Sequence, residues 1–315
     1  MHELRAERGR IVVVGSFVVG ITVRLPRLPV LGETLPADRF DLGPGGKGCN
    51  MATAAARQGM DVAIIATVGD DDFADMAFER LGREEVDTRG LRRVPGETTA
   101  VGLVYLLPDG QNTIGAYPGA HRSLGRDDVI ANADRLKAAD VLLVEFSATD
   151  EAIAEAVYIA SAEGIPVIMD PAPARPIAPS VLAAVDYLTP NETEAKILLG
   201  LSPDDRSQDP ADLAERLRST GPRVVILTRG SDGCVVCGPS GVEEMPRYPV
   251  EAIDTVGAGD AFDGGLATAL ARGATIPEAL RWATVTAALS TTSLGAVDGL
   301  PDRSQVAAAL ESWDV

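Results

Sequence analysis

Two glycine-rich turns carry residues whose types and spacing could do chemistry. The first is Asp254-Thr255-Val256-Gly257-Ala258-Gly259-Asp260, followed by a run of small and apolar residues from Ala261 to Leu270 that reads as a helix. A turn that opens onto a helix presents N–H groups without partners inside that helix, and the helix dipole adds partial positive charge. Such a turn can hold an anion. Asp260 stands at its end, where a carboxylate can take the proton of an attacking hydroxyl. Asp254 stands at its start, where it can orient the loop or meet a cation. No Gly-Lys-Ser/Thr follows, so this is not a Walker loop, and the GxGxxG spacing of a dinucleotide fold is missing. An aspartate near a helix start is also an ordinary cap.

The second turn is Gly43-Pro44-Gly45-Gly46-Lys47-Gly48-Cys49-Asn50, and it opens onto a second small-residue helix, residues 51–59. Its backbone N–H groups, with Lys47 or Asn50, can grip the hydroxyls of a polyol. A tight packing turn would explain one such element, but two in one chain argue for a site.

The elements that must hold these turns follow in order. Residues 11–15 form a β-branched run ending in Gly15, the mark of a strand buried on both faces. Residues 24–32 are proline-rich and connective, and 33–42 read as an edge strand or flap. Residues 62–67 form another buried strand. Residues 71–81 have the apolar spacing of an amphipathic helix, closed by Gly82. Residues 98–107 and 112–117 flank Pro108-Asp109-Gly110 as a hairpin. With 33–42 they predict a small sheet outside the main layers, suited to a lid. From residue 141 strands and helices alternate: strands at 141–144, 166–169, 185–188 and 224–227, helices at 150–162 and 211–218. That order predicts a parallel sheet covered on both faces. Ligands bind such sheets beyond the carboxyl ends of the strands. Glu145, Asp170, Asn191, Glu194, Thr228 and the 257–260 turn all fall there.

Composition narrows the class. The chain has 315 residues, 46% hydrophobic and 4% aromatic, so its core must be built from Ala, Val, Leu and Ile. Its length admits one large α/β domain or two. A formal charge of −18 argues against nucleic acid, which demands a basic surface. Residues 1–10 are polar and hold no secretory signal, and no apolar run nears the ~20 residues of a membrane span. A cytoplasmic, soluble protein is expected. Three cysteines, Cys49, Cys234 and Cys237, fit a reducing compartment. Cys234 and Cys237 have metal-site spacing, but a separation of three in a strand turns them to opposite faces.

Along nearly its whole length the chain resembles the ribokinase-like, PfkB-type family of sugar kinases. The double-glycine turn is matched at 43–50, T-P-N-E-x-E at 189–194, and D-T-x-G-A-G-D at 254–260. The resemblance implies a single domain over 1–315, a three-layer α/β/α doubly wound and mostly parallel sheet, with a small β lid from about 18–43 and 96–120. It implies transfer of the ATP γ-phosphoryl to a sugar hydroxyl. Asp260 would be the general base, and Gly257, Ala258 and Gly259 the anion hole for the phosphoryl. Gly45, Gly46, Lys47, Asn50 and Glu145 would face the sugar. Thr228, Gly230 and Gly233 would line the nucleotide, together with Asn191. Asn191 and Glu194 would organise Mg²⁺ through its waters. Asp254 and the carbonyls of Val256, Ser290, Ser293 and Gly295 match a monovalent cation site for K⁺. Gly299 departs from the family there, where ribokinases carry a side-chain oxygen.

A second departure bears on the acceptor. Ribokinases follow the first strand with G-S-x-N-x-D, whose Asn and Asp bind sugar hydroxyls. Here Val18 and Gly20 take those places. A site that loses such polar groups loses discrimination for the hydroxyls they bound. Ribose itself is thus disfavoured as the small-sugar acceptor, and the expected acceptor is larger, less hydroxylated there, or a nucleoside packing its base on that wall. A catalytically retired sugar- or nucleotide-binding protein is the other class, opposed by the intact Asp260 and its turn. A nicotinamide-dependent oxidoreductase is disfavoured by the missing GxGxxG. The open edge of the lid sheet suggests a homodimer through residues 33–42 and 98–117.

Overall fold

The computed structural model describes residues 8–108 and 111–313. Residues 1–7 and the Asp109-Gly110 turn read from the sequence lie outside them. The strands are β1 (Arg10–Val14), β2 (Val18–Arg24), β3 (Arg39–Gly45), β4 (Asp61–Val68), β5 (Asp87–Arg93), β6 (Ala100–Leu106) and β7 (Asn112–Tyr117), then β8 (Val141–Glu145), β9 (Val167–Asp170), β10 (Tyr187–Leu188), β11 (Val224–Thr228), β12 (Cys234–Gly238) and β13 (Gly241–Met245). The helices are α1 (Lys47–Arg57), α2 (Asp72–Arg83), α3 (Arg126–Ala131), α4 (Ala133–Lys137), α5 (Asp150–Ala162) and α6 (Pro179–Leu182), then α7 (Glu192–Leu198), α8 (Pro210–Arg218), α9 (Ala258–Ala271), α10 (Ile276–Ser290) and α11 (Arg303–Glu311).

Nine strands make the large sheet, in the order β13-β12-β11-β10-β9-β8-β1-β4-β5. Strands β4, β1 and β8 to β11 run parallel, with β5 at one edge, and β12 and β13 extend the other edge antiparallel. From β1 the chain builds outward to β4 and β5, then returns to build the other way from β8. The reversal between β1 and β8 opens a crevice at the carboxyl ends, where open α/β sheets take their ligands.

Alternation along the strands divides the core in two. Ile11 and Val13 of β1, with Val141 and Leu143 of β8, join α1, α2, α9 and α10 on one face. Val12 and Val14, with Leu142 and Val144, join α3 through α8 on the other. That is the period of two expected of strands buried on both sides. Cys234 and Cys237 fall in different layers by the same rule.

The remaining strands form a second sheet, β3-β2-β6-β7. Its first edge differs from the sequence expectation. The flap read at 33–42 becomes a strand only from Arg39, and it runs on to Gly45. Residues 33–37 stay irregular. Helix α1 also starts earlier than read, at Lys47, so Lys47 and Asn50 sit on its first turn rather than in the loop.

Helices α1 and α9 pack unusually close. A Cβ on Gly264 would lie 2.6 Å from Ala54 Cβ and 2.9 Å from the Met51 carbonyl oxygen. On the next residue, Gly265, it would lie 2.8 Å from Thr286 Oγ1 of α10. Small residues let three helices meet where larger ones would force them apart. Gly264→Val is therefore expected to destabilise the protein by about 1–3 kcal/mol through overpacking. A urea midpoint equal to the parent's would refute the close-approach account.

Candidate active site

The two glycine turns converge because α1 and α9 do. Gly46 precedes α1 with φ 95°, and Gly257 caps α9 with φ 80°, a left-handed conformation that side chains resist. A side chain at Gly257 would also strike Ala296, with its Cβ 2.9 Å from that of Ala296. Helix α9 then begins at Ala258, which puts Asp260 in its first turn. Ala258 N–H turns back onto the Thr255 carbonyl at 3.2 Å. Gly257 and Gly259 flank it at the amino terminus of α9, where N–H groups have no partner inside the helix.

Asp260 is 4% exposed. Asn50 Nδ2 donates to its Oδ2 at 2.7 Å, and Lys47 Nζ lies 3.4 Å from its Oδ1. The same ammonium donates to Asp170 Oδ2 at 3.0 Å. Burial alone would lower the Lys47 pKa, but the charges of Asp260 and Asp170 outweigh it and hold the pKa well above the usual lysine range. Burial pushes Asp170 up to about 7, Asp260 and Glu194 push the same way, and Lys47 opposes them. Asp263 lies one turn further along α9. Burial, and then the charge of Asp170, hold its carboxyl well above the ordinary range, and its Oδ1 has no hydrogen-bond partner.

Glu145 ends β8 in register with Asp170 at the end of β9. It is fully buried. Its Oε2 accepts from Ser147 N–H at 2.5 Å, while its Oε1 has no partner. Asn50 Oδ1 is likewise buried and unpartnered. Buried polar atoms are rarely left so, unless a ligand or water completes them. His121 is 7% exposed, with Nε2 2.7 Å from the Phe17 carbonyl oxygen, and burial lowers its pKa.

On the other side, Asn191 and Thr228 meet in a bridge between the ends of β10 and β11. Asn191 caps α7: its Oδ1 accepts from Glu194 N–H, and Glu194 Oε2 accepts from Asn191 N–H, both at 2.9 Å. Gly230 and Gly233 bound the short turn after β11, both with positive φ. Glu194 adds to the field on Lys47 and Asp170. Asp254 stands apart. Its Oδ1 accepts from Val256 N–H and its Oδ2 from Gly295 N–H, each at 3.0 Å, so its side chain ties two loops together. Near it, a Cβ on Gly299 would lie 2.5 Å from the Ser290 carbonyl oxygen and 3.2 Å from that of Gly295, so these carbonyls converge.

Val18 and Gly20 fall on the face of the small sheet opposite Val19 and Ile21, which pack into the core. In register across that face lie Gly20, Gly43, Gly102 and Ala116. No polar side chain interrupts the row. The sequence pattern flagged Val18 and Gly20 but not their neighbours, because register joins strands far apart in the chain. It also missed Asp263, whose signal was an aspartate three residues after Asp260 in an otherwise apolar helix.

A model of the pfkB family of carbohydrate kinases matches residues 8–303. The chain belongs to that family. It is 32% identical over 304 residues to a ribokinase of Haemophilus influenzae, covering 96% of this chain and 99% of the relative. It is 32% identical over 296 residues to a deoxyribokinase of Salmonella typhimurium, covering 94% and 96%. Among solved structures, a ribokinase of Thermotoga maritima superposes with a TM-score of 0.86 at 31% identity, covering 96% of this chain and 99% of the other. A ribokinase of Arabidopsis thaliana complexed with ribose and ATP gives 0.88 at 29%, covering 97% and 99%. The protein is thus an ATP-dependent carbohydrate kinase with the ribokinase fold. Among its described residues no helix is long and apolar enough to cross a membrane.

The buried carboxyl of this kinase's Asp263 gives a pH test. An acid whose pKa is raised on folding binds more protons folded than unfolded, so stability falls as pH rises from about 4. Asp263→Asn removes that loss. Its stability relative to the parent is expected to grow from pH 5 to pH 8, and a constant difference in denaturation midpoint across that range would contradict a raised pKa.

Proposed function

We propose that the enzyme transfers the ATP γ-phosphoryl to a hydroxyl of a small sugar seated between Glu145, Asn50 and Asp260. The observation that carries this reading is the pair of buried, unpartnered acceptors, Glu145 Oε1 and Asn50 Oδ1, beside a carboxylate held by Asn50 and Lys47. Hydroxyls of a polyol supply the donors those atoms lack. Gly45 and Gly46 bring the chain into α1 next to the sugar. Asp260 accepts the proton of the attacking hydroxyl. The amides of Gly257 and Gly259, at the positive end of α9 with Ala258, face the charge that grows on the transferring phosphoryl. Thr228, Gly230 and Gly233 lie along the nucleotide.

Two cations accompany this reading. Glu194 uses one carboxylate oxygen in its cap, which leaves the other for the waters of Mg²⁺ near Asn191. Magnesium supplies charge neutralisation on the phosphates when bound. The Ser290 and Gly295 carbonyls, with those of Val256 and Ser293, fit a K⁺ ion. Asp254 shapes that cradle with both oxygens already engaged. We read the chain as one kinase domain over residues 1–315, working in the cytoplasm, with residues from about 18–43 and 96–120 as its lid.

The bare row Gly20, Gly43, Gly102 and Ala116 favours a second reading, in which the acceptor is a nucleoside whose base lies flat on it. Backbone groups inside a sheet are already paired, so the row offers apolar contact and no hydroxyl recognition.

Asp260→Asn should lower kcat by about 10²–10⁴-fold while ATP affinity stays near the parent's. The assay is ADP release with Mg-ATP and K⁺ against pentoses, hexoses, sugar acids and nucleosides. Parent-like kcat in the variant would remove Asp260 as base, and nucleoside turnover without sugar turnover would select the second reading.

The other face of the lid carries Phe40 and Leu42 on β3, Leu103 on β6 and Tyr117 on β7, all exposed, with Leu42 and Leu103 flanking Ile21 in register. A contiguous apolar patch on an open sheet marks an interaction surface, and we read it as the face of a homodimer. Sedimentation at micromolar concentration should show a dimer that Phe40→Glu dissociates. A monomeric parent would sink the reading.

A further inference from the structure

Asp170 ends β9 at 4% exposure and takes no part in the mechanism above. Lys47 reaches it from α1, Nζ to Oδ2 at 3.0 Å, while the same nitrogen stands 3.4 Å from Asp260 Oδ1. Among the described residues Lys47 is the one cation within 4.0 Å of either carboxylate. A lysine ammonium rides on a flexible four-carbon stem and carries no preferred direction of its own. Two carboxylates from two different elements, β9 and α9, give it one.

We propose that Asp170 is a positioning residue for phosphoryl transfer: its carboxylate pins the Lys47 ammonium against Asp260, where that ammonium meets the transferring phosphoryl group. The proposal rests on Asp260 as the base. A loose transition state spreads negative charge over the phosphoryl oxygens, and Asp260 brings more beside them. An ammonium fixed between the two relieves that repulsion without having to reorganise during the reaction. Asp170 thus acts through Lys47 and touches no reacting atom.

A double-mutant cycle tests this, with the best acceptor of the panel and with melting temperature and ATP affinity measured in parallel. Asp170→Ala should lower kcat about 10- to 100-fold, as expected for loss of one charge-assisted hydrogen bond at a reacting centre. In a Lys47→Ala background the same change should alter kcat by less than about threefold, because the group it positions is gone. Asp170→Asn retains an acceptor oxygen and should recover part of the loss. A crystal structure of Asp170→Ala should show Lys47 Nζ withdrawn from Asp260. Multiplicative losses in the double variant, or an Asp170→Ala kcat within about twofold of the parent, overturn the proposal. If Asp170→Ala does not fold, Asp170→Leu, close in size and without an acceptor oxygen, carries the same cycle with the same criteria. Activity surviving in Asp260→Asn would strike the base assignment instead, which keeps the two failures apart.

Discussion

The site depends on how closely α1 approaches α9. Asn50 and Lys47 belong to one helix and Asp260 to the other, more than 200 residues later in the chain. A 2.7 Å hydrogen bond between them requires the helix backbones to nearly touch, and Gly264 against Ala54 is where they do. The rest of the large sheet serves to hold that contact at its own carboxyl edge. The polarity of the arrangement follows. Both helices begin at the crevice, so both amino termini, with their unpaired N–H groups, point into it.

Charge is the second constraint. Asp170, Asp260 and Asp263 crowd around a single ammonium, with Glu194 adding its field. Desolvation favours the neutral form of a buried carboxyl, and like charges nearby add to it. Burial raises Asp263 well above the ordinary range and Asp170 to about 7, while Lys47 lies within 4.0 Å of both Asp170 and Asp260.

Much of this was legible in the sequence. Buried β-branched runs, strand-to-helix alternation and glycine turns before small-residue helices point to the layers and to Asp260. The motif at 254–260 was readable because its spacing ties glycine, helix start and carboxylate together locally. What escaped were features fixed only by packing across the chain. Asp170 reads as a strand-end residue until Lys47 is seen reaching it from α1. Asp263 reads as one more polar residue in a helix until its burial is known. The row of glycines needs strand register, which no local pattern supplies. Helix and strand starts shifted for a simpler reason: glycine and proline flanks leave boundaries undetermined by a few residues until tertiary contacts choose.

The division between what is shared and what is particular in this kinase follows from the same geometry. On the proposed assignment, groups that handle phosphoryl charge sit on α1, α9 and the ends of central strands, where any displacement would disturb the core on both faces of the sheet. Groups that meet the remainder of the acceptor sit on the small sheet, whose strands bury little and whose glycines leave open space: a Cβ on Gly43 would meet nothing within 4 Å. Replacing polar side chains with glycine there costs the fold little and changes which acceptor fits. On that assignment Val18 and Gly20 change specificity and leave the frame alone, because loss of function would more readily have left its mark on Asp260, Asn50 or the turn that precedes Asp260.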